Sequence, residues 1–221
     1  MRAVSGVGVV VPARDEGDRI EACLRSVLAA LDRVAVPSAV CVVADRCTDD
    51  TAAAAAPFAD VVRNGRPRTI GELRNLGAHR VLARLPADAW LLGTDADTVV
   101  PPTWAADHLR HARLGADAVA GLADLDDPHV LPADVLSRYA ELLGSGSEHA
   151  YAANLGVRAA AFRAVGGFPA VVHGEEHALL ARLRAAGYRV VTAAGIRVRT
   201  SARTDGRAEG GLADLLRRLG S

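Results

Sequence analysis

Short apolar runs and helix-patterned stretches alternate through the first hundred residues, and few folds accommodate that rhythm. Residues 7–11 are apolar and close at Pro12; from Asp18 onward, Ile20, Leu24, Val27, Leu28 and Leu31 recur on one helical face. Residues 40–44 repeat the apolar run and are followed by an Ala-rich helix over 52–56. Val61 and Val62 mark a brief third strand. After the Gly65-Arg66-Pro67-Arg68 turn, a helix is expected from about Thr69 to Leu85, with Ile70, Leu73, Val81 and Leu82 facing inward. A fourth apolar run starts at Ala89 and stops at Thr94-Asp95-Ala96-Asp97-Thr98. Strands alternating with helices in this way imply an α/β fold with a mainly parallel sheet and right-handed crossovers.

That topology brings three polar loops, residues 12–17, 45–51 and 94–98, to the same rim of the sheet. Ligands of open α/β sheets bind at the carboxyl ends of the strands. Asp95 and Asp97, one residue apart, repel each other unless a cation or polar ligand shares them, which points to a hard divalent metal carrying phosphate. The competing reading of the same five residues is a solvated turn or a helix N-cap, because Thr98-Val99-Val100-Pro101-Pro102 leads towards the next helix.

Beyond Pro102 the pattern loosens. A helix is expected over 103–114, with His108 and His111 on a solvated face, then a strand over 118–125 and a helix over 136–143. After the Gly144-Ser145-Gly146-Ser147 segment come residues 154–158, a Gly166-Gly167-Phe168-Pro169 turn and a helix from about 175 to 186. Two short strands, 190–192 and 196–198, precede a polar stretch over 200–211 and a closing helix over 212–219.

With 221 residues the chain fits a single domain able to bury a core without disulfides. Lys and Arg number 26 against 26 Asp and Glu, and this zero net charge argues against nucleic acid or an anionic membrane surface as partner. The apolar runs are too short to span a bilayer. Residues 9–12 run straight into charged positions, so the N-terminus reads as a first strand and not as a signal peptide. Cys23, Cys41 and Cys47 form no C-x-x-C pair, which suits reduced cysteines and a cytoplasmic location.

Six stretches together resemble the inverting family 2 glycosyltransferases of the GT-A fold: VVVPARDEGDRI from Val9, VVADRCTDDT from Val42, GELRNLGAHR from Gly71, TDADT from Thr94, ANLGVRAAAFRAVGGFP from Ala153 and GEEHALLARLRAAGYRV from Gly174. They follow the family's order and approximate spacing over most of the chain. The resemblance implies a single GT-A domain over 1–221, with a Rossmann-like nucleotide-sugar-binding half over 1–100, an acceptor-binding half over 101–200 that takes in Asn154 and the Gly166-to-Pro169 turn, and a flexible tail with a closing helix over 200–221.

The implied activity is that of a hexosyltransferase moving sugar from a nucleoside-diphosphate sugar, with a UDP-sugar favoured over a GDP-sugar, to an acceptor hydroxyl. By the same resemblance, Pro12, Ala13, Arg14 and Glu16 form the loop that holds base and ribose. Asp45 accepts hydrogen bonds from base or ribose, and Arg74 lies near the nucleotide, where Asn75 and Gly77 allow close helix approach. Asp97 is the member of the acidic motif that binds Mg²⁺ or Mn²⁺; Asp95 serves the ribose or assists the metal, with Ala96 between them. Glu176 is the implied general base and Glu175 its neighbour, a pair whose mutual repulsion raises one pKa towards a useful value. Acidic residues also simply favour the first turn of a helix.

The family often carries a metal-binding His after its last strand; residues 197–203 contain none, which leaves Arg199 or Arg203 to grip the diphosphate. Residues 144–147 and 200–211 are expected to order over a bound donor. Three rivals remain. His173-Gly174-Glu175-Glu176-His177 spells the inverted zinc-peptidase signature, but a helix starting after His173 makes the two rings diverge. A nucleotidyltransferase is expected to carry a Gly-rich loop with a Lys after the first strand, and residues 10–15 offer neither. A sugar-nucleotide-binding module without catalysis is the third.

Overall fold

In the computed structural model, which describes residues 3–144, 152–206 and 211–220, strand β1 (Gly6–Ala13) is buried along its whole length. Val7, Val9 and Val11 enter one apolar cluster and Val10 another, as the two-residue period of a strand requires when helices cover both faces. On the first face lie α1 (Gly17–Leu31) and α4 (Trp104–Arg113); on the second lie α3 (Ile70–Leu82) and α7 (Glu175–Ala185). Gly77 lets α3 sit directly on the sheet, since a Cβ there would lie 2.5 Å from Val10 Cγ1.

Parallel pairing joins β1 to β2 (Ser38–Asp45) and to β4 (Ala89–Gly93), and β2 to β3 (Asp60–Asn64). α1, the short α2 (Thr51–Ala55) and α3 make the three crossovers from β1 to β2, β2 to β3 and β3 to β4. The chain thus steps outward from β1 to β3 and returns to the far side of β1. The reversal falls between β1 and β4, where a doubly wound sheet opens a crevice beyond its strand ends.

The second half continues the sheet with β7 (Leu155–Arg158), β6 (Ala118–Leu125), β8 (Val190–Thr200) and β5 (Thr98–Val99), so that the full order is β3-β2-β1-β4-β7-β6-β8-β5. β7 is antiparallel to both β4 and β6, β6 is parallel to β8, and β5 is antiparallel to β8. The expected strands 190–192 and 196–198 are one strand: its register against β6 jumps from Ala120–Thr192 to Leu122–Arg197, and the residues taken up in the irregularity include Ala194 and Gly195, poor strand formers that disguise the continuity. Thr98 and Val99 do not lead straight into a helix but pair with Thr200 and Arg199, which ties the acidic turn to the last strand.

The remaining helices are α5 (Ala133–Gly144), α6 (Ala159–Ala164) and α8 (Leu212–Leu219). α5 and α8 share a third apolar cluster built on Leu131, Val135, Tyr139, Ala202 and Leu216. Residues 145–147 and 207–210, expected to close over a donor, lie outside the described residues. Residues 200–206 are not loose: Thr200 O accepts from Asp126 N at 2.8 Å, and Ala202 N donates to Asp126 Oδ1 at 2.9 Å. Among the described residues, no helix is long and apolar enough to cross a membrane.

Two expectations for the second half are corrected. His108 is not on a solvated face but fully buried, with Nε2 3.1 Å from Asn154 Oδ1, and desolvation lowers its pKa to about 4, so the ring is neutral. Asn154 does not line a binding site. Its Oδ1 accepts from Trp104 Nε1 at 2.9 Å and its Nδ2 donates to Leu122 O at 2.8 Å and Ile196 O at 3.0 Å, so it fastens α4, β6 and β8 together.

Candidate active site

The loops at the ends of β1 and β2 are stapled to each other. Asp15 and Arg46 both take left-handed backbone angles, φ 50° and 48°, an uncommon conformation for side chains of this size. Asp15 Oδ1 accepts from Thr48 N at 2.6 Å, Glu16 N donates to Thr51 Oγ1 at 2.7 Å, and Gly17 N donates to Asp49 Oδ2 at 2.9 Å. The rim is therefore shaped by its own bonds. Asp45, nearly buried at the end of β2, accepts from Asn64 Nδ2 at 2.6 Å and pairs with Arg46 Nη2 at 3.1 Å.

At the end of β4 the two aspartates have different partners. Asp95 Oδ1 accepts from Arg74 Nη2 at 2.6 Å. Asp97 faces the last strand: Thr200 Oγ1 lies 3.3 Å from its Oδ1 and Arg203 Nη2 lies 3.0 Å from its Oδ2. Arg203 also forks onto the buried carboxylate of Glu16, with Nη1 3.0 Å from Oε2 and Nη2 against Oε1. Burial, and then the charge of Asp95, push the Asp97 pKa up to about 6 in spite of the Arg203 guanidinium beside it.

Arg74, on α3, crosses the crevice in the other direction. Its Nε donates to Glu175 Oε1 at 3.1 Å, and both side chains are almost wholly buried. Glu175 opens α7, whose N-cap Gly174 adopts φ 73°, a left-handed angle natural to glycine. Glu176 follows on the same first turn. Burial, and then repulsion from Glu175, push its pKa up to about 8, opposed by Arg74. The pair thus divides: Glu175 is committed to a salt bridge, and Glu176 is the carboxylate with a raised proton affinity.

Eleven of the residues singled out in the sequence meet at one cavity of about 630 Å³. Pro12, Ala13, Arg14, Glu16, Asp45, Arg74, Asp95, Ala96, Asp97, Glu175 and Glu176 all contribute to its wall. Glu16 is buried and taken by Arg203, while Arg14 stays exposed at the cavity's edge. Arg199 is exposed on β8 and absent from the wall, so of the two tail arginines only Arg203 reaches the cavity. The Gly166-to-Pro169 turn stays behind the wall, where Phe168 exchanges hydrogen bonds with Asn75.

The cavity also uses residues that sequence reasoning passed over, among them Arg46, Arg68, Val172, Thr200, Leu212 and Ala213. Thr200 carried no signal because a β-branched residue ending a strand is unremarkable, and α8 reads only as a closing amphipathic helix. His173 precedes α7 and His177 lies within it, as expected for rings that diverge. Among the described residues, the group whose ligand atoms could share a metal is Asp15, Cys47 and Asp49, and it includes neither histidine.

The donor set around Asp97 suits a hard divalent cation. The side chains there offer oxygen ligands of the type that Mg²⁺ and Mn²⁺ prefer, the carboxylates of Asp97 and Asp95 and the Thr200 hydroxyl 3.3 Å from Asp97 Oδ1, although among the described residues Glu16, Asp95 and Asp97 do not form one group of mutually close ligand atoms. Burial, and after it the neighbouring Asp95 charge, disfavour the ionised form of Asp97, and a cation bound there would offset both.

Solved structures of similar shape carry the GT-A fold. S. aureus TarS 1–349 in complex with UDP-GlcNAc matches with a TM-score of 0.67 and 16% identity over 91% of this chain and 60% of that one. The mannosyltransferase PcManGT from Pyrobaculum calidifontis, in complex with GDP-Man and Mn²⁺, matches with a TM-score of 0.66 and 19% identity over 90% of this chain and 58% of that one. The fold here is likewise GT-A, one α/β domain with a mostly parallel sheet between helices. A sequence profile of glycosyl transferase family 2 matches residues 8–164. The chain belongs to glycosyl transferase family 2. It spans about 60% of the length of the TarS 1–349 and PcManGT chains, and comparison with curated proteins gives no match.

Proposed function

We propose that this cavity binds a nucleoside-diphosphate sugar and transfers the sugar to an acceptor hydroxyl with inversion at the anomeric carbon. The observation that carries the proposal is the meeting of Asp45, the Asp95–Asp97 turn and Glu176 around one hollow, although they come from the ends of β2 and β4 and the start of α7. A solvated acidic turn or a capped helix would have no reason to share that space.

In this reading Pro12, Ala13, Arg14, Glu16 and Asp45 receive base and ribose. Asp97, with Asp95, would hold Mg²⁺ or Mn²⁺. When bound, such an ion neutralises charge on the departing nucleoside diphosphate. Glu176 takes the proton of the acceptor hydroxyl as its oxygen bonds to the anomeric carbon and the bond from that carbon to the phosphate oxygen breaks. Its raised pKa makes it a stronger proton acceptor than an ordinary glutamate. Glu175, held by Arg74, disfavours ionisation of the neighbouring Glu176 and so sustains that basicity. UDP is favoured as the nucleotide; TarS with UDP-GlcNAc and PcManGT with GDP-Man show that both base types suit this fold.

A thermal-shift panel of UDP, GDP and their sugars, with and without Mn²⁺, tests the reading. Stabilisation by one nucleotide series, larger with Mn²⁺, is expected; no response to any of them sinks it. Donor binding without transfer to any alcohol or hydrolysis to water would favour the non-catalytic sugar-nucleotide module.

A further inference from the structure

Arg203 already engages the carboxylate proposed to hold a metal ion, with Nη2 3.0 Å from Asp97 Oδ2. Its guanidinium is the cation between the buried carboxylate of Glu16, after β1, and the half-buried carboxylate of Asp97, after β4. Thr200 covers the other oxygen of Asp97, so both of that carboxylate's oxygens already have partners from the last strand and the segment after it. The backbone before Arg203 is pinned to Asp126 and cannot follow an outward swing. The side chain, 27% exposed, is held at its guanidinium by Glu16 and Asp97 and is partly open to solvent.

We propose that Arg203 is an exchangeable counter-ion: it holds Asp97 and Glu16 together until a divalent cation arrives with the donor, then yields Asp97 to that cation and turns its guanidinium to the diphosphate. Two facts of charge support this. A dication at Asp97 and a guanidinium 3.0 Å from the same carboxylate repel each other, so both stay only if an anion is added between them. A diphosphate is such an anion, and a planar guanidinium grips it in two-pronged fashion. The consequence is regulation of the site proposed above, on which the inference rests: free metal binds poorly, nucleotide alone binds poorly, and each improves the other by the same factor.

The test is calorimetric and needs no turnover. MnCl₂ alone is titrated into wild type, Arg203→Ala and Arg203→Lys; UDP and GDP are then titrated at saturating Mn²⁺. In Arg203→Ala, affinity for Mn²⁺ alone should rise about tenfold and affinity for the nucleotide with Mn²⁺ should fall about tenfold, opposite signs that a general loss of folding does not produce. Arg203→Lys, which keeps the charge and loses the fork, should shift both constants the same ways by less, and it carries the test should the alanine variant not fold. Unchanged or weaker binding of Mn²⁺ alone in the variants overturns the exchange. A wild-type protein that binds neither nucleotide overturns the functional reading instead, and the Mn²⁺ comparison still decides whether Arg203 guards Asp97.

Discussion

Arg74 and Glu175, 101 positions apart in sequence, form a buried ion pair with Nε 3.1 Å from Oε1, and this pair links α3 to the start of α7 at the cavity wall. The same guanidinium holds Asp95, so one side chain fixes members of both acidic groups. Removing one partner of a buried pair leaves the other charge uncompensated, a loss of about 3–5 kcal/mol. Arg74→Gln should therefore lower unfolding stability by about that amount in urea denaturation, and Glu175→Gln added to it should recover a large part. Additive losses in this double-mutant cycle would show that the two residues do not act together.

Asn154 is a structural fastener. Its side chain joins Trp104, His108, Leu122 and Ile196, four groups that have no water to fall back on. Each buried polar group left unsatisfied costs about 1–3 kcal/mol, so Asn154→Leu should destabilise the fold by at least about 3 kcal/mol in thermal or chemical unfolding. Donor affinity, measured at a temperature where the variant remains folded, should change little. A large affinity loss with little destabilisation would return Asn154 to the binding site.

The rate of transfer should rise with pH. A base works only when ionised, and Glu176 has its pKa pushed upward by burial and by Glu175, with His177 Nε2 4.0 Å from its Oε1. Below that raised value the carboxyl holds its proton and is idle, so log kcat should climb with unit slope and flatten near pH 8. Glu176→Gln should lower transfer at least about 100-fold and remove the slope while donor binding persists. Normal turnover by Glu176→Gln would cancel its assignment as base.

Metal binding should weaken in acid. Asp97 has a pKa of about 6, above its ordinary value, so protons compete with the cation as pH falls through that point. Between pH 7 and pH 5 the ionised fraction drops about tenfold, and Mn²⁺ affinity measured by calorimetry should fall by a similar factor. A flat profile over this range would mean that Asp97 is not a ligand.

The first half of the fold was legible because each strand and helix there carries its own periodic signal; the run from Val7 to Val11 and the face of Ile20, Leu24 and Leu31 need no tertiary context. Gathering the loops on one rim followed from parallel topology alone. Failures cluster where meaning depends on a distant partner. Ala193 to Gly195 looked like a break between strands because their role is set by β6, and His108 looked exposed because nothing near it in sequence announces Asn154. Arg203 was expected, as an alternative to Arg199, only as a grip on the diphosphate. That it bridges Glu16, 187 positions away, depends on β8 running back to the rim.

Donor binding to Asp97→Asn, measured by calorimetry with a UDP-sugar and a GDP-sugar in the presence and absence of Mn²⁺, examines the site at its centre. Wild-type protein should bind one of the two sugars with one-to-one stoichiometry and markedly more tightly with Mn²⁺, and the variant should lose that Mn²⁺-dependent gain while remaining folded. Equal, Mn²⁺-enhanced binding by wild type and Asp97→Asn, or no binding of either sugar by the wild type, would contradict the assignment.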